Sequence, residues 1–328
     1  MHTVLLSAPY LIPYVERFRP VFAAYGLDLI VPEVRERLSE AEILGYAGRF
    51  DGAICGDDRF TERALEACLP RLKVISKWGT GIDSIDLAAA ARLGVLVRNT
   101  PNAFTLPVAD SVLGYMLAFA RQQPWMDTAM KRGEWQKIPG RSLSECTLGV
   151  IGVGNVGKAV IRRARGFGMR ILGNDIVEIA PDFIAEFGVE MVSLTGLISR
   201  ADFISVNCDL NPSSFHLINA ETLQHVQAHA VLINTARGPI VEESALIPAL
   251  REKRLAGAAL DVFEIEPLPL DSPLLGMELV MLAPHNSNSS PAAWERVHWN
   301  TIRNLLEGLG IAHDDYPEVI AAQKDYGR

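Results

Sequence analysis

Along the N-terminal third of the chain, short and almost wholly apolar runs alternate with longer stretches of helical spacing. The runs Val4–Leu6, Leu27–Val31, Ala53–Cys55, Lys73–Ser76 and Val95–Arg98 have the length and continuity of strands buried on both faces. Between them, Tyr14–Tyr25, Glu40–Gly45, Glu62–Cys68 and Asp86–Leu93 read as helices. That alternation predicts a parallel sheet covered by helices. Asn99, Thr100, Pro101 and Asn102 break the rhythm as a hinge would. A long helix is predicted beyond them, capped by Thr105, with Pro107 in its first turn and Leu106, Ala109, Leu113, Met116, Leu117 and Ala120 along one face. The polar stretch 121–144 reads as a helix and then a loop, its Trp125 and Trp135 expected in a core or between subunits.

The strand pattern returns at Leu148–Ile151 and opens the most informative stretch of the chain. Gly152, Gly154 and Gly157 form a G-x-G-x-x-G turn that runs into the helical spacing of Lys158–Arg165, and the next apolar run, Arg170–Leu172, leads to Asp175. Gly152 permits the tight turn, Gly154 lets a pyrophosphate approach the backbone, and Gly157 lets helix and strand pack closely. Asp175 follows Gly157 by eighteen residues, the spacing of an acid that binds the adenosine ribose. A bare glycine turn occurs in many α/β proteins; the strand before it and the acid after it favour a dinucleotide site. Further strands are expected at Phe203–Val206, Val231–Thr235, Gly257–Asp261 and Leu279–Leu282, with helices at Glu221–Val226 and Ser244–Glu252. The amphipathic stretch Trp294–Leu309 is expected to cross back to the first domain.

Composition narrows the class of function. A chain of 328 residues is sized for two domains, and its net charge of −8, without long runs of either sign, offers no basic footprint for nucleic acid and no polybasic membrane patch. Cys55, Cys68, Cys146 and Cys208 stand far apart, which indicates neither a metal site nor a disulfide framework and favours a cytoplasmic protein. The start has no Lys or Arg before its apolar run, unlike a secretory signal, and Ser111–Ala120 is too short to cross a membrane. A small molecule is the expected partner.

In the second half, Asp175, the Thr235–Arg237 segment, Asp261 with Glu266, and His285 all follow predicted strands, so in an open α/β sheet they face one crevice. Hydride transfer needs a cation for the substrate carboxylate, an acid/base at the carbon-bound oxygen, and a group that sets that acid/base. Arg237 suits the first task through its planar fork. His285 suits the second because its pKa lies near working pH. Glu266 suits the third, since a carboxylate on an imidazole fixes its tautomer and favours its protonated form. Singly these residues are ordinary; their joint placement carries the assignment. His216, His225, His229 and His298 lack that placement and are given no role. In the first half, Lys77 precedes the small-residue turn Gly79, Thr80, Gly81, whose N–H groups are suited to an anion.

The stretches Lys77–Asp86, Asn99–Asp110, Leu148–Gly157, Ile233–Leu246, Ala258–Pro267 and Ala283–His285 resemble the D-2-hydroxyacid dehydrogenase family, in its phosphoglycerate dehydrogenase-like branch. The resemblance spans nearly the whole chain. It implies a Rossmann-type dinucleotide domain over 102–289 inserted into a flavodoxin-like substrate domain of 1–101 and 290–328, both doubly wound parallel α/β sheets. NAD is the implied cofactor. Asn155 and Val156 would touch its pyrophosphate, Cys208, Thr235 and Ala236 its flank, and Asp261 the nicotinamide amide. Arg237, Glu266 and His285 would be the catalytic trio, with the turn Gly79–Gly81 on the substrate carboxylate. A homodimer paired through 106–144 is implied as well.

Several positions depart from the pattern. Asp209 stands where the family usually has proline, Asp110 where it has glutamate, and Gly56 where phosphoglycerate enzymes place an arginine, with Arg59 as a neighbouring substitute. The end at Arg328 leaves no room for the regulatory C-terminal domains of longer phosphoglycerate dehydrogenases. The expected activity is NAD-dependent interconversion of a small D-2-hydroxyacid and its 2-ketoacid. Alternatives are 3-phosphoglycerate or phosphite oxidation and, in another class, an NAD-sensing binding protein without turnover. Formate enzymes of this fold lack the Glu–His pair, so Glu266 with His285 argues against formate.

Overall fold

The computed structural model describes residues 2–313, and these divide into two compact units, 2–104 with 290–313, and 105–289. The last part of the expected return to the first domain, 314–328, lies outside the described residues.

The first unit opens with β1 (His2–Leu6), α1 (Val15–Ala24), β2 (Leu27–Ile30), α2 (Glu40–Leu44), β3 (Gly52–Cys55), α3 (Glu62–Cys68), β4 (Val74–Lys77), α4 (Leu87–Arg92) and β5 (Leu96–Arg98). Its five strands are parallel in the order β2-β1-β3-β4-β5, the flavodoxin-like arrangement. Short helices hold here because their first turns are capped: Ser39 and Glu42 form a capping box on α2, while Thr61 and Asp86 accept N–H bonds at the starts of α3 and α4. Leu5, Phe50, Phe60, Leu65 and Ile75 fill one side of the sheet.

The second unit runs through α5 (Thr105–Arg121), α6 (Gln123–Lys131), β6 (Thr147–Ile151), α7 (Asn155–Gly166), β7 (Arg170–Asn174), α8 (Pro181–Phe187), β8 (Val189–Met191), α9 (Leu194–Ile198), β9 (Phe203–Val206), β10 (Val231–Asn234), α10 (Glu243–Arg251), β11 (Gly257–Leu260) and β12 (Val280–Leu282). Its seven strands are all parallel, ordered β12-β11-β10-β9-β6-β7-β8. Cores lie on both faces, one including Met116, Val150, Val160 and Ile233, the other Leu172, Ile204, Leu232 and Leu260. The chain then returns to the first unit as α11 (Pro291–Gly308), capped by Ser290 and anchored where Ser76 Oγ donates to the Thr301 carbonyl at 2.8 Å.

Some expectations need correction. Thr105 lies inside α5 rather than before it, and Leu106, on the first turn, is 42% exposed; the buried stripe is Ala109, Val112, Leu113, Met116, Phe119 and Ala120. The helix expected at Glu221–Val226 is only a single 3₁₀ turn, Thr222–Gln224, because the Asn219 side chain accepts from the N–H groups of Glu221 and Thr222 and bends the chain locally. Elements α8, β8 and α9 occupy a stretch for which no element was expected. Trp125 packs on Phe119 with ring centroids 5.0 Å apart, whereas Trp135 is 87% exposed.

Candidate active site

In the second unit the direction of winding changes between β6 and β9, and in an open sheet the carboxyl ends of the strands at such a point form a ligand crevice. The turn after β6 meets this description closely. Gly152 has φ +85°, and a Cβ there would stand 2.5 Å from the Cys208 nitrogen, so only glycine fits between the two loops. At Gly157 a Cβ would meet the Gly152 carbonyl at 2.1 Å, which is why α7 can start so close to the strand. Gly154 and Asn155 lie exposed at the start of α7, with open space around Gly154, and Val156 is half-buried behind them.

Asp175, at the end of β7, accepts the Val153 N–H at 2.6 Å on one carboxylate oxygen and the Val177 N–H at 3.0 Å on the other, and so steadies the glycine turn. Across the switch point, burial pushes the Cys208 thiol up to about 11, which makes it an apolar wall rather than a nucleophile. Thr235 is buried, and its Oγ1 has no partner among the described residues. An open glycine turn, a 12-residue helix starting at it and an unsatisfied hydroxyl across the switch point suit a dinucleotide.

Beyond the switch point, β10, β11 and β12 are neighbours, and the turns just after them carry Arg237, Asp261 and His285 respectively. His285 Nδ1 lies 3.2 Å from Glu266 Oε2, and Glu266 Oε1 accepts the Phe263 N–H at 3.0 Å. His285 itself has φ +51°, a left-handed conformation costly for a side chain of its size. Asp261, 1% exposed, holds it there: its carbonyl accepts the His285 N–H at 2.7 Å, and its carboxylate accepts the N–H groups of Asn286 at 2.7 Å and Ser287 at 2.9 Å. This anchoring of the histidine turn was not foreseen for Asp261. Nor was Asn234, whose side chain donates to the Arg237 carbonyl at 2.9 Å and accepts from Ala236 at 3.1 Å, bracing the arginine turn.

Arg237 is half-buried and donates through Nη1 to the Ala236 carbonyl at 2.8 Å. Gly238 lies against the loop that carries Glu266, where a Cβ would stand 1.9 Å from the Phe263 carbonyl carbon. The arginine turn and the glutamate loop are therefore stacked backbone on backbone. Asp209 is exposed, and its carbonyl accepts from Ser214 Oγ at 2.6 Å, so the Ser214 side chain closes this loop without a proline at position 209.

In the first unit, Lys77 ends β4 almost fully buried, its Nζ donating to the Trp78 carbonyl at 3.1 Å and paired with Asp57 at 3.1 Å. Gly79 follows at φ +124°, and its carbonyl accepts the Thr100 N–H at 2.9 Å. Thr80 Oγ1 donates to the Thr100 carbonyl at 3.0 Å, while Gly81 is half-buried. Asp58 does not face the surface: it is fully buried, bonded to Ser7 Oγ and to the Leu38 N–H, and burial pushes its carboxyl up to about 6. A Cβ on Gly56 would stand 2.8 Å from Pro9 Cδ, and Arg59 is exposed. Among the described residues, no helix is long and apolar enough to cross a membrane, and no three His, Cys, Asp or Glu side chains are grouped to hold a metal.

Residues 113–287 match the family described as D-isomer specific 2-hydroxyacid dehydrogenase, NAD binding domain. A glyoxylate reductase of Korarchaeum cryptofilum is 39% identical over 243 residues, covering 72% of this chain and 73% of its own. A D-3-phosphoglycerate dehydrogenase of Methanocaldococcus jannaschii is 39% identical over 286 residues, which cover 86% of this chain but only 52% of that one. The chain thus spans about half the length of that relative. Among solved structures, the D-lactate dehydrogenase from Aquifex aeolicus complexed with NAD and lactic acid has a TM-score of 0.81 at 26% identity, covering 94% of this chain and 97% of its own. With two parallel α/β units, a glycine turn at the switch point and a matching family over more than half its length, this chain belongs to the D-2-hydroxyacid dehydrogenase family and is an NAD-dependent enzyme of it.

Proposed function

We propose that the protein interconverts a small, unphosphorylated D-2-hydroxyacid and its 2-ketoacid, with His285 as acid/base, Glu266 as the group that holds it, and Arg237 on the substrate carboxylate. The observation that carries this reading is the 3.2 Å contact between His285 Nδ1 and Glu266 Oε2, on the sheet edge that also bears the dinucleotide turn. Bound NADH supplies the hydride for reduction. With Nδ1 turned to Glu266, His285 delivers its proton to the carbonyl oxygen through Nε2 and takes it back in the reverse reaction. The Glu266 carboxylate stabilises the imidazolium that reduction requires, and the Arg237 fork keeps the carboxylate, and with it the carbonyl, in place.

Residues 105–289 serve as the dinucleotide domain in this reading. Gly152, Gly154, Asn155, Val156 and Gly157 face the pyrophosphate, Asp175 the adenosine ribose, Cys208, Thr235 and Ala236 the flank, and Asp261 the amide of the nicotinamide. The first unit serves the substrate, with Lys77, Gly79, Thr80 and Gly81 as its anion-binding turn. Against a phosphorylated substrate stand the crowding of Gly56 by Pro9, which leaves no room for an arginine, and the pairing of Lys77 with Asp57.

Steady-state reduction of glyoxylate, hydroxypyruvate, pyruvate and 3-phosphohydroxypyruvate, with NADH and then NADPH, tests the reading. The phosphorylated compound should show no advantage in kcat/KM; a preference above about tenfold, roughly 1.4 kcal/mol of transition-state binding, would reverse the substrate assignment. His285→Asn should lower turnover by about 10²- to 10⁴-fold while NADH still binds. Wild-type turnover in that variant would remove the acid/base role, and no turnover with any acid, including phosphite oxidation, would favour a binding protein. A C₂ homodimer joined through 106–144 belongs to the same proposal, supported by Trp135 at 87% and Met130 at 46% exposure. A monomer mass by light scattering at micromolar concentration would count against it.

A further inference from the structure

His216 lies 48 residues from Glu264 in sequence, yet its Nε2 approaches Glu264 Oε1 to 2.6 Å. An ionised carboxylate only accepts, so the contact calls for a proton on Nε2. The main chain of His216 is committed too, its N–H donating to the Pro239 carbonyl at 2.8 Å, and its ring stacks on Phe215 with centroids 4.0 Å apart. The residue holds φ +50°, unusual for a side chain of this size and typical of places where the surroundings impose a conformation. Pro239 lies two residues after Arg237, and Glu264 two residues before Glu266. His216 thus ties together the two loops that carry Arg237 and Glu266.

The tie extends further. Glu264 Oε2 accepts the Glu243 N–H at 3.0 Å, and Glu243 Oε1 accepts the Glu264 N–H at 2.8 Å, so the glutamate loop is bracketed to the start of α10. The next N–H back, on Phe263, is the one that holds Glu266. Burial raises the Glu243 carboxyl above its ordinary value, the Glu264 N–H opposes that rise, and the charges of Glu264 and Glu266 add to it by crowding. A ring N–H on Glu264 offsets that crowding.

We propose that His216 is a positioning residue for the Glu266–His285 pair, acting through Glu264 and through the turn after Arg237. The inference rests on the reading of His285 and Glu266 as the acid/base pair. Groups that act on the proton of His285 are then Glu266 directly, Asp261 at its turn, and Glu243, Glu264 and His216 through the bracket. Without the His216 tie, the loop loosens, Glu266 sits less squarely on the imidazole, and His285 gives up its proton at lower pH.

The test compares His216→Leu with His216→Gln, which share the backbone cost of the left-handed position but differ in a side-chain N–H. The readout is the pH profile of kcat/KM for 2-ketoacid reduction, with thermal unfolding measured in parallel. His216→Leu should move the alkaline limb down by about half a unit or more and lower kcat at neutral pH by roughly tenfold, and His216→Gln should restore much of both. Glu264→Gln, which leaves one accepting oxygen where the carboxylate uses two, on His216 and on the Glu243 N–H, should shift the limb the same way and serves if His216→Leu does not fold. Lower unfolding temperatures with the limb unmoved in the folded variants would overturn the inference. His285→Asn in the same series separates the two levels. A collapse there beside an unmoved limb in His216→Leu removes the positioning role alone, whereas wild-type turnover in His285→Asn removes the underlying assignment and this role with it.

Discussion

Gly238→Ala replaces one hydrogen of the second unit by a methyl group, and the structure says where it would go. The new Cβ would stand 1.9 Å from the carbonyl carbon and oxygen of Phe263 and 2.5 Å from the Glu264 nitrogen, whereas ordinary contact begins at 3.4 Å. The two loops must therefore part by about 1.5 Å at this point. Neither side yields cheaply, because the neighbours are main chain: the Phe263 N–H is bonded to Glu266, the Glu264 N–H to Glu243, and Phe263 is 6% exposed. Overpacking of this kind costs about 1–3 kcal/mol of stability. Arg237 and Glu266 move apart with their loops, and a misplacement on the order of 1 Å costs about 10²-fold in rate. We expect kcat/KM for ketoacid reduction to fall by about that factor, some 2.7 kcal/mol. The glycine turn after β6 is a separate element, so NADH binding followed by fluorescence titration should stay within about threefold of wild type, a change under 1 kcal/mol. A folded Gly238→Ala enzyme with unchanged kcat/KM would show that the stacked loops do not set the catalytic geometry.

Asp261→Asn replaces one accepting oxygen by an NH₂ group that faces a main-chain N–H, so a charge-assisted bond worth about 1.5–3 kcal/mol is lost and the left-handed turn at His285 is released. Both unfolding temperature and kcat should drop, and a variant unchanged in either would remove the anchoring role. In the first unit, burial holds His298 down to about 4 and pushes Asp58 up to about 6, and the two act in opposite directions. The histidine contributes stability that is full above its ordinary pKa of 6.5 and is lost as pH falls towards 4; the aspartate contributes stability that is full below its ordinary 3.8 and is lost as pH rises towards 6, each by about 3 kcal/mol. Relative to wild type, Asp58→Asn should therefore lose more stability between pH 6.5 and 4 in urea unfolding, and His298→Gln less. Parallel curves for all three proteins would refute the linkage.

What could be read from the chain was what is local. The glycine turn and Asp175 lie within one βαβ stretch, and the apolar strands betray themselves because a doubly covered parallel strand has no polar face to confuse the pattern. Residues 176–199 escaped because their elements are short. β8 is an edge strand of three residues with Glu190 at its centre, and α9 is five residues long, capped by Ser193. Helical phase alone puts Leu106 in a core, because phase cannot tell a first turn at the surface from one under cover. Long-range partners left no trace in the pattern either. The bonds of Asp261 to Asn286 and Ser287 span 25 and 26 residues, and those of His216 to Glu264 span 48. The alternating glutamates 264 and 266 before Pro267 are the one visible hint that this loop holds a second carboxylate beside Glu266.

Arg237, Glu266 and His285 come from consecutive strands of a single unit and are braced by residues of that same unit, Asn234, Asp261, Glu243 and Glu264. In the proposed reaction, proton handling is therefore the work of one unit. Gly56, where phosphoglycerate enzymes place an arginine, and its neighbours Asp57 and Asp58 belong to the other unit, on a loop with its own buried anchor. Under the proposed function, an edit confined to that loop would change which acid is bound while leaving the His285–Glu266 pair in place.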